Sequence, residues 1–193
     1  MRTQTIMQDW TNVSELSESH VPENVYDWLT PKAYRLSDGI RRTYDQFELV
    51  RIQEGIGRIT DYEKQYMRGD YAYIRQIFLL GDSHPQVYAR TTVPLKVYTE
   101  YKQLFDNLGD RPIGESILYN NPAITRTPFL VGAFAMAHLP FMEYSPEGRF
   151  ANRQRYIMSI PIWNRQSTFN LMDETFLLIT ESFLPTIKPL VTD

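Results

Sequence analysis

The chain has 193 residues, a net charge of −3, three histidines and no cysteine. That length suits one domain with a core of its own, and the missing cysteines exclude disulfides, thiolate metal sites and a cysteine nucleophile. A mildly acidic balance argues against general nucleic-acid binding, which needs a basic face, and no apolar run reaches membrane-spanning length.

Residues 1–24 are polar and read as an N-terminal arm or short helix, with the folded domain taken as residues 25–193. Val25 to Tyr44 reads as helical pieces broken at Pro31 and at the turn Ser37-Asp38-Gly39. Glu48 to Gln53 is a strand candidate. Tyr71–Leu80 and Gln86–Val93 form a hairpin through Gly81-Asp82-Ser83-His84-Pro85. Tyr98, Tyr101, Leu104, Phe105 and Leu108 then fall at helical spacing, stopped by Gly109, and a short second helix starts at Pro112-Ile113-Gly114-Glu115. Asn120 to Gly148 is rich in Pro, Gly and aromatics and has no clear period. Tyr156–Pro161, Ser167–Met172 and Phe176–Phe183 read as strands, the last two joined at Met172-Asp173-Glu174. Hairpin-linked strands with inserted helices predict an α+β fold built on a single antiparallel sheet.

Two of these strands carry a charge on an otherwise apolar face. Side chains alternate along a strand, so Glu181 shares a face with Leu177, Ile179 and Phe183, and Arg75 shares one with Tyr73, Ile77 and Leu79. An inward Arg and an inward Glu form either a structural salt bridge or a pocket for a small anionic ligand, unless the strands are turned and both charges face solvent. No other pattern competes for the chemistry. His20, His84 and His138 lack metal-ligand spacing, and neither a G-x-S-x-G turn nor a Gly-rich phosphate loop is present. The N-terminus lacks a secretory apolar stretch, so a soluble cytoplasmic protein is expected.

Read in order, several short motifs resemble the chorismate pyruvate-lyase (4-hydroxybenzoate synthase) family. They are Asp27-Trp28-Leu29; Arg75-Gln76-Ile77-Phe78-Leu79; Ala89-Arg90-Thr91-Thr92-Val93-Pro94; Leu108-Gly109-Asp110-Arg111-Pro112-Ile113-Gly114; Thr125-Arg126; Trp163-Asn164-Arg165-Gln166-Ser167; and Thr180-Glu181-Ser182-Phe183-Leu184-Pro185. Each is weak alone; their shared order carries the resemblance. It implies conversion of chorismate to 4-hydroxybenzoate and pyruvate without metal or organic cofactor, within aromatic acid metabolism and ubiquinone biosynthesis. It also implies a single antiparallel sheet whose flanking helices enclose the ligand beneath flaps, with no nucleic-acid or membrane partner. By motif, Arg75 holds the ring carboxylate with help from backbone amides near Ile113 and Gly114. Glu181 faces the oxygen across the ring. Arg90, Arg126 and Arg165 are further substrate-binding residues, and Ile40 is a flap residue.

The implied chemistry suits these residues. Loss of pyruvate aromatises the ring, so the protein has only to position a dianion and supply one acid/base group at the ether oxygen. A glutamate desolvated by apolar neighbours serves as an acid at neutral pH, and a nearby arginine opposes that shift. The chain departs from the compact family pattern between Arg126 and Arg165 and again at Thr30-Pro31-Lys32-Ala33-Tyr34. Both departures fall near the expected pocket mouth, where they bear on substrate identity. Two other readings follow from the same motifs. One is a non-catalytic effector-binding domain of a transcription regulator, although too little chain precedes Trp28 for a winged helix-turn-helix. The other is a relative acting on a different anionic aromatic acid.

Overall fold

The computed structural model describes residues 8–135 and 161–192. Among the described residues eight strands form one antiparallel sheet: β1 Gln8–Asn12, β2 Phe47–Arg58, β3 Tyr71–Gly81, β4 His84–Pro94, β5 Ile124–Arg126, β6 Leu130–Ala135, β7 Pro161–Leu171 and β8 Glu174–Phe183. Their order is β1-β6-β7-β8-β4-β3-β2, with β5 paired to β7. The hairpins β3–β4 and β7–β8 close through Asp82-Ser83 and Met172-Asp173, all four at positive φ, as a tight turn matched to the twist of its strands requires.

The α-helices among the described residues lie on one face of this sheet: α1 Glu23–Leu29, α2 Leu36–Thr43, α3 Leu95–Glu100 and α4 Lys102–Asp106. A π-helical turn, Gly114–Leu118, follows them. Several expectations are corrected. Residues 8–12 of the presumed arm are an edge strand paired with β6. Ser37-Asp38-Gly39 does not break the chain but lies inside α2, where a side chain on Gly39 would come within 2.9 Å of the Trp28 ring. This glycine permits close helix approach. The helix expected over Tyr98–Leu108 starts earlier and is broken at Tyr101, whose backbone (φ −107°, ψ 24°) leaves the helical region. Most of the Tyr156–Pro161 strand expectation lies outside the described residues.

On the helix-covered face two apolar clusters meet the sheet. Trp28, Leu29 and Ile40 pack with Ile77, Ala89, Trp163 and Phe183 in one cluster. Phe105, Leu108, Ile113 and Leu118 pack with Tyr73, Val93, Phe169, Leu177 and Ile179 in the other. Between them runs a buried band of charged and hydroxyl side chains containing Arg75, Thr91, Glu181, Arg165 and Ser167. The opposite face is also polar in its centre, where Gln76, Arg90, Asn164, Gln166 and Ser182 are buried.

Candidate active site

The register places the band in two adjacent rows. Glu54, Arg75, Thr91, Ile179 and Ser167 are cross-strand partners in one row; Ile77, Ala89, Glu181, Arg165 and Val131 form the next. Directly paired residues share a face, so Arg75 and Glu181 both point toward the helices. They stand two strands and two residues apart, about 12 Å between Cα atoms at ordinary sheet spacing. They are not each other's partner.

Arg75 is 2% exposed. Its Nη1 donates to Glu54 Oε1 at 3.2 Å, and its Nη2 donates to the carbonyls of Gly109 (2.7 Å) and Arg111 (3.2 Å). Gly109 holds φ +57°, a conformation that costs a glycine little and lets its carbonyl turn onto the guanidinium. Tyr73 also donates to Glu54 Oε1, and Arg51 Nη1 bonds Glu54 Oε2 at 2.8 Å. Burial pushes the Glu54 carboxyl up, but these donors and the two guanidiniums outweigh it and hold it below its ordinary value. The loop over Arg75 leads into the π-helical turn, whose entry amides at Ile113 and Gly114 precede the first turn bond, Ser116 N to Pro112 O.

The other end of the band is an arginine pair around one carboxylate. Arg165, a direct cross-strand partner of Glu181, donates from Nε to Glu181 Oε2 and from Nη1 to the Trp28 carbonyl at 2.7 Å. Its side chain is fully buried, and among the described residues its Nη2 has no hydrogen-bond partner. Arg126 Nη2 lies 3.8 Å from Glu181 Oε2; its Nε donates to Ser167 Oγ and its Nη1 to the Tyr34 carbonyl, each at 2.8 Å. Its guanidinium stacks over Phe129 at 4.1 Å and over Phe169 at 4.9 Å. Burial lowers the Arg126 pKa below the arginine norm, with Glu181 opposing and Arg165 adding to the shift. Tyr119 is raised chiefly by burial, with Arg126 and Glu181 among the charges acting on it.

The covering segments are tied together above this band. Arg41 of α2 bridges to Glu115 of the π-helical turn, and the Tyr34 and Tyr119 rings lie 5.9 Å apart. Ile40 is fully buried in the cluster that meets Ile77 and Ala89. Among the residues singled out from sequence, Arg75, Glu181, Arg126, Arg165, Ile40, Ile113 and Gly114 thus belong to one face. Arg90 does not. It points to the opposite face, where Nε and Nη2 bond both oxygens of Glu63 at 2.7 and 3.0 Å beside a cavity of about 250 Å³ that also takes Trp10 and Tyr62 into its wall. Glu54, Tyr73, Tyr34 and Tyr119 join the band unannounced by any motif. Only the period-2 pattern pairing Tyr73 with Arg75 pointed toward one of them.

Among the described residues there is no group of three or more potential metal ligands, and no helix is long and apolar enough to cross a membrane. A family model described as chorismate lyase matches residues 7–189. A relative from Aromatoleum aromaticum, named "probable chorismate pyruvate-lyase", is 35% identical over 175 residues, covering 89% of this chain and 90% of that protein. One of the same name from Nitrosospira multiformis is 26% identical over 187 residues, covering 93% and 99%. Among solved structures, the C-terminal domain of the histidine utilization repressor from Pseudomonas syringae pv. tomato aligns with a TM-score of 0.52 at 12% identity. It covers 77% of this chain and 98% of that one, and at such identity the likeness is one of fold.

Proposed function

Since the chain belongs to the chorismate lyase family, we propose that it is a cofactor-independent lyase that converts chorismate to 4-hydroxybenzoate and pyruvate, acting in the cytoplasm and supplying ubiquinone biosynthesis. The observation that supports this most is the buried band with a guanidinium at one end and a carboxylate at the other, on the same face and beneath the same helices. A ring lying along it would place its carboxylate at Arg75 and the amides of Ile113 and Gly114, and its oxygens toward Glu181.

The reaction breaks the ring C–O bond to the enolpyruvyl group and removes the hydrogen from the neighbouring ring carbon. The C–H electron pair completes the aromatic ring, and the C–O pair leaves on oxygen as enolpyruvate, which takes a proton at carbon to become pyruvate. Aromatisation drives the step, so the side chains have to orient the substrate and handle a proton. Arg75 anchors. Glu181, the ionisable carboxyl at the reacting end, is the acid/base group, and Arg126 and Arg165 complete the binding of substrate. Packing of Ile40, Ile113 and Leu118 over the band keeps water from the reacting atoms.

The test is incubation of the purified protein with chorismate. Equal amounts of 4-hydroxybenzoate and pyruvate are expected. Tight binding of a small aromatic acid without turnover would instead point to a non-catalytic ligand-binding domain of the same fold.

A further inference from the structure

The face of the sheet opposite the buried band holds the cavity of about 250 Å³ beside Arg90, which the proposed reaction does not use. Its walls are aromatic. Trp10 of β1 stacks on Tyr62 with 5.6 Å between ring centroids and 21° between planes, and it meets Phe134 of β6 at 5.1 Å. All three rings keep part of their surface accessible despite these contacts, and such rings offer apolar faces to an aromatic guest. The floor is polar and lies on the strands of the band: Gln166 follows Arg165 on β7, and Thr180 and Ser182 flank Glu181 on β8.

Two properties of that floor specify the guest. The first is charge. Arg90 gives Nε and Nη2 to Glu63, whose oxygens also accept from Thr92 Oγ1 and the Thr60 amide. The pair neutralises itself, so an ionic guest would lose its hydration and gain no counter-charge. The second is polarity of the hydroxyls, which spend their protons inside the protein. Thr180 Oγ1 donates to Gln166 Oε1 at 3.3 Å, Tyr88 Oη to Gln76 Oε1 at 3.0 Å, and Ser182 Oγ to Asn164 Oδ1. A hydroxyl that has donated has lone pairs left. Ser182 and Tyr88 are buried and Thr180 is not, which makes Thr180 Oγ1 the accessible acceptor.

We propose that this cavity is a second ligand site, for an uncharged aromatic compound bearing a hydroxyl. The ring seats against Trp10, Tyr62 and Phe134, and its O–H donates to Thr180 Oγ1. The sheet separates this site from the band, so the two fill independently. The inference does not depend on the lyase reading.

Methyl 4-hydroxybenzoate, kept uncharged at mildly acidic pH, is the probe, and methyl 4-methoxybenzoate is the same ester without the donor. Calorimetric titration should show the phenol binding about ten-fold more tightly than its ether, which leaves the Thr180 lone pair unmet. Excess 4-hydroxybenzoate, the same ring carrying a charge, should not displace it. Thr180→Val should bring the two esters to within about three-fold of each other, and Trp10→Ala should weaken both by about ten-fold through loss of a ring wall. Circular dichroism verifies that each variant is folded. No binding, equal affinity for phenol and ether, displacement by 4-hydroxybenzoate, or an undiminished preference in Thr180→Val would each overturn the site. Should a variant fail to fold, the native comparison and the displacement experiment decide the matter alone. Absence of chorismate turnover in the same preparation would remove the reaction and leave this site standing.

Discussion

Replacing Glu181 with glutamine removes one ionisable carboxyl from a buried cluster and leaves its shape. The structure sets the cost. Glu181 is bonded by the fully buried Arg165 and stands 3.8 Å from the nearly buried Arg126, so the variant removes the one carboxylate that pairs with these two guanidiniums among the described residues. Removing one partner of a buried pair costs about 3–5 kcal/mol. The amide oxygen still accepts the Arg165 Nε–H, which places the loss near the lower end, about 3 kcal/mol. For a domain of this size that lowers Tm by roughly 6–12 °C. Catalysis should fall further than stability explains, by about 10²–10⁴-fold, because the acid/base group is gone. Scanning calorimetry and chorismate turnover measured well below the variant's own Tm separate the two effects. Adding Arg126→Met should return part of the lost Tm by removing one stranded charge, without restoring turnover. An unchanged Tm in Glu181→Gln would refute the pairing with Arg165, and full activity would remove Glu181 from the chemistry.

Arg75→Ala should weaken 4-hydroxybenzoate binding by about 2–5 kcal/mol, and Arg75→Lys should recover only part, since an ammonium lacks the planar fork; unchanged titration calorimetry would rule out the anchor. Met172, 86% exposed at φ 50° in the β7–β8 turn, pays for a left-handed conformation that asparagine tolerates better. Met172→Asn should therefore raise stability by about 0.5–1 kcal/mol in urea unfolding, and a loss would contradict the turn geometry. Glu63 is desolvated, yet its hydrogen bond from Arg90 and that guanidinium's charge hold its pKa below the ordinary 4.5. A folded value below the unfolded one means that its contribution is complete above about pH 4.5 and is lost as pH falls below it. Urea titrations at pH 7 and pH 4 should show a smaller acid loss in Glu63→Gln than in the native chain; an equal loss would remove Glu63 from the acid response.

The strands were legible because half-buried antiparallel strands alternate, and that alternation set Arg75 and Glu181 on apolar faces before any contact was known. The fate of Arg90 was hidden for a specific reason. A hairpin closed at Asp82-Ser83 without irregularity would set Arg75 opposite Arg90, on one face. A bulge inserts Gln86 into β4, so Arg75 pairs with Thr91 and Arg90 turns away. Gln86 has partners that keep it there: Tyr44 Oη donates to its Oε1 at 3.0 Å, and its Nε2 donates to the His84 carbonyl at 3.1 Å. Such long-range anchors leave no local pattern. The same holds for Glu54, which reaches Arg75 across a second bulge, in β2. Gly39 read as a turn because glycine breaks isolated helices, whereas here the close approach of Trp28 decided its use.

The most direct test of the band as the reaction site is a crystal structure with 4-hydroxybenzoate bound. The ring should lie on the helix-covered face with its carboxylate on Arg75 and its phenolic oxygen toward Glu181. A ligand seated instead on the opposite face, in the cavity beside Arg90 and Glu63, would contradict it.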